Sequence, residues 1–209
     1  MHNESLITAA VAGFLIAVTG CTRNGSDERY YTEVIQTLRS EKDLEFRDPE
    51  TTPFKDLEDA AQFSQLEYFP VYPSYKVMAE IIKTPEEPWF EIPTSSGITK
   101  TYRRYGLLRF GLGDRQVQLV VLQGKKMLET EAYRDQLFLP FRDATCGQES
   151  YGGGRYIDLK IPKGDSVELD FNLAYNPYCA YSDGYNCPIP PTDNWLDFRI
   201  EAGEMKYDH

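Results

Sequence analysis

From Tyr68 to the C-terminus the chain is a succession of short apolar or alternating segments separated by Gly, Pro and Asp turns, and this feature constrains the fold most. Successive side chains of a strand point to opposite faces, so alternation marks a segment with one buried face. Segments of this kind span 75–82, 89–92, 98–110, 116–122, 137–141, 156–161, 167–171 and 196–200. Gly111-Leu112-Gly113-Asp114 reads as a hairpin turn and Lys163-Gly164-Asp165 as a second tight turn. Gln116-Val117-Gln118-Leu119-Val120-Val121 begins alternating and becomes continuously apolar, which suggests a strand passing into the sheet interior. Roughly seven to nine strands is the count of a sandwich or barrel. The expected fold is therefore mainly β: a single sandwich or barrel-like domain over residues 67–209.

Ahead of it, residues 27–66 read as an N-terminal helical arm. Ser26 is a candidate N-cap, Asp27 and Glu28 suit the positive end of a helix dipole, and Tyr31, Val34, Ile35 and Leu38 repeat at helical spacing. The helix is expected to run to about Phe46 and stop before Asp48-Pro49, because a residue ahead of proline avoids the helical region. A second short helix is expected over 56–64.

The run Leu-Ile-Thr-Ala-Ala-Val-Ala-Gly-Phe-Leu-Ile-Ala-Val over residues 6–18 has signal-peptide length and is too short for an ordinary membrane span. It leads into Val18-Thr19-Gly20-Cys21, which resembles the lipobox of bacterial lipoproteins, although Met1 to Ser5 carry no Lys or Arg. The resemblance implies a signal peptide over 1–20, lipidation of Cys21 and a small polar tether over 21–26. It also implies export, with anchoring to the cell membrane or outer membrane. The alternative reading of the run is a buried core helix.

The chain has 209 residues and a formal charge of -11. A nucleic-acid partner is excluded, because neutralising phosphates needs an excess of Lys and Arg. Removing residues 1–20 takes only one charged side chain, Glu4, so the body stays acidic and the membrane contact must come from acyl chains on Cys21. The two histidines are His2 and His209. Histidine-dependent triads, dyads and zinc sites are thereby removed from the body, and no metal or cofactor is expected.

The stretches Tyr68-Phe69-Pro70-Val71, Leu139-Pro140-Phe141-Arg142-Asp143, Tyr151-Gly152-Gly153-Gly154-Arg155-Tyr156-Ile157-Asp158-Leu159, Asp170-Phe171-Asn172-Leu173-Ala174-Tyr175-Asn176-Pro177-Tyr178-Cys179 and Cys187-Pro188-Ile189-Pro190-Pro191 closely resemble a prokaryotic family catalogued as domain of unknown function 1684. The resemblance extends over residues 30–204. It implies a fold and an address for unusual residues but no reaction. Position 146, where that pattern more often has Ser or Thr, is given no chemistry.

The densest cluster of candidate residues lies between 142 and 187. The three consecutive glycines before Arg155 form either an ordinary turn entering a strand or an anion nest of exposed amides beside a guanidinium. Arg155 itself either grips a ligand anion or pairs with Asp143, Asp158 or Asp170. Asp170 and Asn172, two apart, are expected on one strand face, and 175–179 as a proline-interrupted loop. A ligand site built from Arg155, Asp170, Asn172, Tyr175 and Asn176 is the leading expectation, in a binding or interaction module of the cell envelope whose partner is a small molecule or envelope component. The competing expectation is a small hydrolase using Asp158 and Asp170 with Arg155, acting on an envelope or carbohydrate substrate, with Asp143 and Glu149 as further carboxylates. A purely structural envelope protein is a third. Tyr102, Tyr105, Tyr151, Tyr156, Tyr175, Tyr178, Tyr181 and Tyr185 are either packing residues or stacking platforms for sugars. Cys179 and Cys187 are candidates for a disulfide, with free thiols or a thiolate site as alternatives.

Overall fold

The computed structural model describes residues 25–208. The apolar run 6–18 and Cys21 lie outside the described residues. Helices α1 (Gly25–Arg47) and α2 (Leu57–Gln62) precede strands β1 (Lys76–Lys83), β2 (Phe90–Pro93), β3 (Thr99–Leu112), β4 (Arg115–Gly124), β5 (Gln136–Phe141), β6 (Arg155–Lys160) and β7 (Ser166–Asp170). The strands form one antiparallel sheet in the order β6-β5-β4-β3-β1-β7, with β2 added to β3. β6 and β7 are consecutive in the chain but stand at opposite ends of the path, so the sheet curls into a half-barrel whose first and last strands do not pair. The fold is mainly β, as expected.

The main core fills the face shared by both end strands: Ala79, Ile81, Leu108, Phe110, Leu119, Val121, Leu137, Leu139, Ile157 and Leu169. A second cluster, Ile92, Tyr102, Val120, Leu122, Phe138 and Tyr156, occupies the opposite face. β4 is apolar on both sides because it lies between the two clusters. A bulge between Arg104 and Gly106 shifts the β3–β4 register. Without it, Tyr102 and Leu108 would share a face; with it, Leu108 enters the main core while Tyr102 joins the opposite side. Gly106 is required at the bulge, since a Cβ there would lie 2.7 Å from the Ile82 carbonyl oxygen.

β4 and β5 pair only at Leu122 and Phe138, because Pro140 has no N–H to donate. The Asn194 side chain takes over beside it. Its Oδ1 accepts from Val120 N–H at 2.7 Å, and its Nδ2 donates to the Val120 and Pro140 carbonyls at 2.8 Å.

Some elements differ from expectation. α1 begins at Gly25, so Ser26 lies in its first turn and does not cap it. Val34 and Leu38 stay exposed; α1 docks through Ile35, Phe46 and long polar side chains. Tyr31 donates to Asp170 at 2.6 Å, Arg39 to the Phe69 carbonyl at 3.1 Å, and Lys42 pairs with Glu204. Residues 196–200 form no strand: Leu196 N–H and the Phe198 carbonyl make isolated backbone bonds to Arg142 and Ala144, and at Ile200 the N–H donates to Asp143 while the carbonyl accepts from Arg155. β7 ends at Asp170, whose side chain accepts from Asn172 N–H and turns the chain into a short 3-10 helix. The shared strand face expected for Asp170 and Asn172 therefore does not exist.

Candidate functional site

A cleft of about 780 Å³ lies between α1 and the sheet face that carries Tyr102, Phe138 and Tyr156. α1 supplies Leu38, Glu41, Lys42, Glu45 and Phe46, spaced three and four apart so that they share one helix face. β3 supplies Lys100 and Tyr102, and β6 supplies Tyr156 and Asp158. The loop after β7 closes the cleft with Tyr175, Tyr178, Tyr185, Asn186 and Pro188.

Each wall is held by identifiable bonds. Tyr156 and Tyr175 exchange backbone hydrogen bonds of 2.8 and 2.9 Å, and the Tyr156 hydroxyl donates to the Pro188 carbonyl. The Cys179–Cys187 disulfide closes the loop, and Tyr178 and Tyr185 meet across it with ring centroids 5.2 Å apart. Backbone bonds from Ser95 to Cys187 and from Ile189 to Pro93 tie the loop to the β2–β3 hairpin. On the α1 side, Lys42 lies 4.7 Å from the Tyr175 ring centroid and pairs with the buried Glu204, which also accepts from Tyr181 and from Asn176 N–H.

Asp158 is the titratable centre of the cleft. Tyr175 donates to its Oδ2 at 2.9 Å. It keeps solvent contact through the cleft mouth, yet burial among the aromatic walls raises its carboxyl above the ordinary range, and the Tyr175 hydrogen bond and Lys42 charge offset this only in part. Burial and the Asp158 charge together push the Tyr102 hydroxyl up to about 12 and raise that of Tyr175 well above its ordinary value. Burial, assisted by Lys126, lowers Lys100. Lys100 has no ion-pair partner among the described residues.

The other expected site residues lie elsewhere. Arg155 is fully buried. Its guanidinium meets Asp143 at 3.0 Å and the carbonyls of Ile200, Ala202 and Glu204, between the rings of Phe69 and Phe141. The glycine segment is a tight turn: the Gly154 N–H donates to the Tyr151 carbonyl, Gly154 has a φ of +93°, and a Cβ there would lie 2.6 Å from the Phe141 carbonyl oxygen, so the turn is packed against β5 and places Arg155 inward. Asp170 accepts from Tyr31 and Asn172, and Asn172 in turn bonds both the N–H and the carbonyl of Tyr72. Asn176 donates to the Met205 carbonyl, and Glu149 pairs with Arg199 at the surface. Asp158 and Asp170 share only a shallow groove of about 370 Å³ between β6 and β7, each bound to different partners. Tyr175 and Asp158 are thus brought together, while Arg155, Asp170, Asn172 and Asn176 serve the packing of loops and α1. Among the described residues no group of three His, Cys, Asp or Glu is placed to hold a metal ion.

The model of a family described as "Protein of unknown function (DUF1684)" matches residues 61–205. The chain belongs to the DUF1684 family. A solution NMR structure of an uncharacterised protein from Haloarcula marismortui, 36% identical, superposes with a TM-score of 0.65, covering 87% of this chain and 97% of that one. No curated protein matches. The DUF1684 span contains the sheet and loop walls of the cleft, whereas the α1 wall precedes it.

Sequence reasoning missed Lys42, Lys100, Glu41, Glu45 and Glu204. No local motif marks them: they are ordinary charged residues on a helix, a strand end and a C-terminal segment, and only the packing of α1 against the half-barrel assembles them.

Proposed function

We propose that this chain is an exported, lipid-anchored binding module of the cell envelope whose ligand occupies the tyrosine-walled cleft. One observation carries the reading. The cleft has the volume typical of small-molecule sites and joins aromatic faces to polar groups with unused hydrogen-bonding capacity, including Lys100, Asn186 and the second oxygen of Asp158. The test is ligand identification by native mass spectrometry on the full chain, purified from cells in non-ionic detergent. A co-purifying molecule lost from Tyr102→Ala supports the cleft; one retained equally by the variant places the site elsewhere.

A carboxylate-dependent hydrolase remains the second reading, supported by the raised Asp158 carboxyl facing Glu41 and Glu45 across the cleft. Its signature is turnover of an envelope or carbohydrate substrate that Asp158→Asn abolishes without weakening binding. Arg155 and Asp170 do not enter it, since both are committed to internal partners.

A further inference from the structure

We propose that the ligand of the cleft is an uncharged saccharide. This rests on the reading of the cleft as the binding site and adds the chemical class. Three features of the walls carry it.

First, the carboxylates of Glu41, Glu45 and Asp158 line the cleft, and Lys42, which lines it with them, is already paired with Glu204. An anionic ligand would meet three carboxylates against one lysine unpaired among the described residues, Lys100, and so a net repulsion. Second, a cationic ligand would normally be drawn to aromatic faces, but the protein's own lysines already hold those of Tyr175 and Tyr185 and add positive charge to the cleft. Lys42 lies 4.7 Å from the Tyr175 ring centroid, Lys55 lies 4.2 Å from that of Tyr185, and Lys100 stands in the cleft without an ion-pair partner among the described residues. Third, a purely apolar ligand would strand the polar groups of the walls, because acceptors (Asp158, Glu45) and donors (Lys100, the Asn186 amide) would lose water without replacement.

The remaining chemistry is neutral, flat on one face and rich in hydroxyls at its edge. A pyranose ring fits this description: its axial C–H groups form an apolar face that rests on tyrosine, and each equatorial hydroxyl both donates to a carboxylate and accepts from an ammonium or amide. Tyr178, 48% exposed at the cleft rim, is the platform, while Tyr102, 9% exposed and stacked on Phe138 with ring centroids 5.6 Å apart, belongs to the packed wall of the cleft.

The experiment is a titration of the full chain in a polyoxyethylene detergent, which carries no sugar headgroup, followed by tyrosine fluorescence and calorimetry. The probes are chitotriose and maltotriose as neutral sugars, the deacetylated cationic form of chitotriose, and trigalacturonate as an acidic sugar. Saturable binding of at least one neutral probe is expected, at least about ten-fold tighter than either charged one. Its affinity should change little between about 20 mM and 500 mM salt, because screening acts on charges alone. Tyr178→Ala should weaken it roughly three- to ten-fold through loss of one stacking face. Tyr102→Ala should also weaken it, by hollowing the packed wall of the cleft, and the exposed Tyr178 provides the result if the Tyr102 variant does not fold. Absence of saturation by both neutral sugars overturns the proposal, as does preference for a charged probe or binding that Tyr178→Ala and Tyr102→Ala leave intact. If the sugars fail while another envelope molecule is retained by the wild type and lost from Tyr102→Ala, the saccharide class is wrong and the cleft reading stands.

Discussion

A guanidinium that ends in the protein interior must find its acceptors there, and Arg155 finds the Asp143 carboxylate with three carbonyls of the C-terminal segment. Asp143 in turn accepts from Thr145 and from Ile200 N–H. Removing one member leaves the others buried and unpaired, so Arg155→Met should destabilise by about 3–5 kcal/mol in urea unfolding, through the stranded Asp143 charge. Asp158 behaves in the opposite sense. Its folded pKa lies above its unfolded one, so the folded state holds the proton more tightly. The stabilisation is complete below the unfolded value of about 4 and is lost as pH rises through the raised folded value. Asp158→Asn should therefore raise the melting temperature at pH 7 by the equivalent of a few tenths of a kcal/mol, discounted for solvent contact, and change it little near pH 3. A variant that melts lower at pH 7 would show that the carboxylate stabilises the fold. Which of the acidic residues had this environment was not legible in the sequence, where 33 acids look alike.

At the scale of elements, turns and strand positions were largely legible. The β3–β4 hairpin turns at Gly113, whose φ is +60°, within the motif that the glycines marked. In the sheet, the departures come where polar side chains take backbone groups out of the ladder. Residues 196–200 carry strand-like alternation, but Ile200 spends its N–H on Asp143 and its carbonyl on Arg155. Asn194 replaces the strand pairing that Pro140 cannot make. Asn194→Ala should cost about 2–3 kcal/mol, because the buried Val120 N–H and Pro140 carbonyl lose their partner; hydrogen exchange at Val120 would report the loss locally. The Cys179–Cys187 bridge spans a sequence separation of 8, and replacing both cysteines by serine should cost about 2–3 kcal/mol by the loop-entropy relation. Cys146 is the free cysteine among the described residues, so with Cys21 lipidated, thiol counting on the denatured, unreduced protein should find one.

For the whole molecule, the acidic surface and the terminal cysteine motif bear on where the protein works. With Cys21 lipidated, α1 would begin within four residues of the anchor, and the body would be held to the membrane by acyl chains alone. Cys21→Ala should move the protein wholly to the soluble fraction; retention in membranes would refute the lipid anchor. By itself the sequence determined the mainly β class, the family, the absence of internal histidine chemistry and the segment in which unusual residues crowd. These follow from periodicity and residue identity, which are local properties. Only the tertiary structure decided which crowded residues are internal struts and which face a ligand. That depends on the curl of the sheet, the bulge that sends Tyr102 to the outer face, and the docking of α1 over it. All three are contacts between residues far apart in the chain, and no spacing within a segment encodes them.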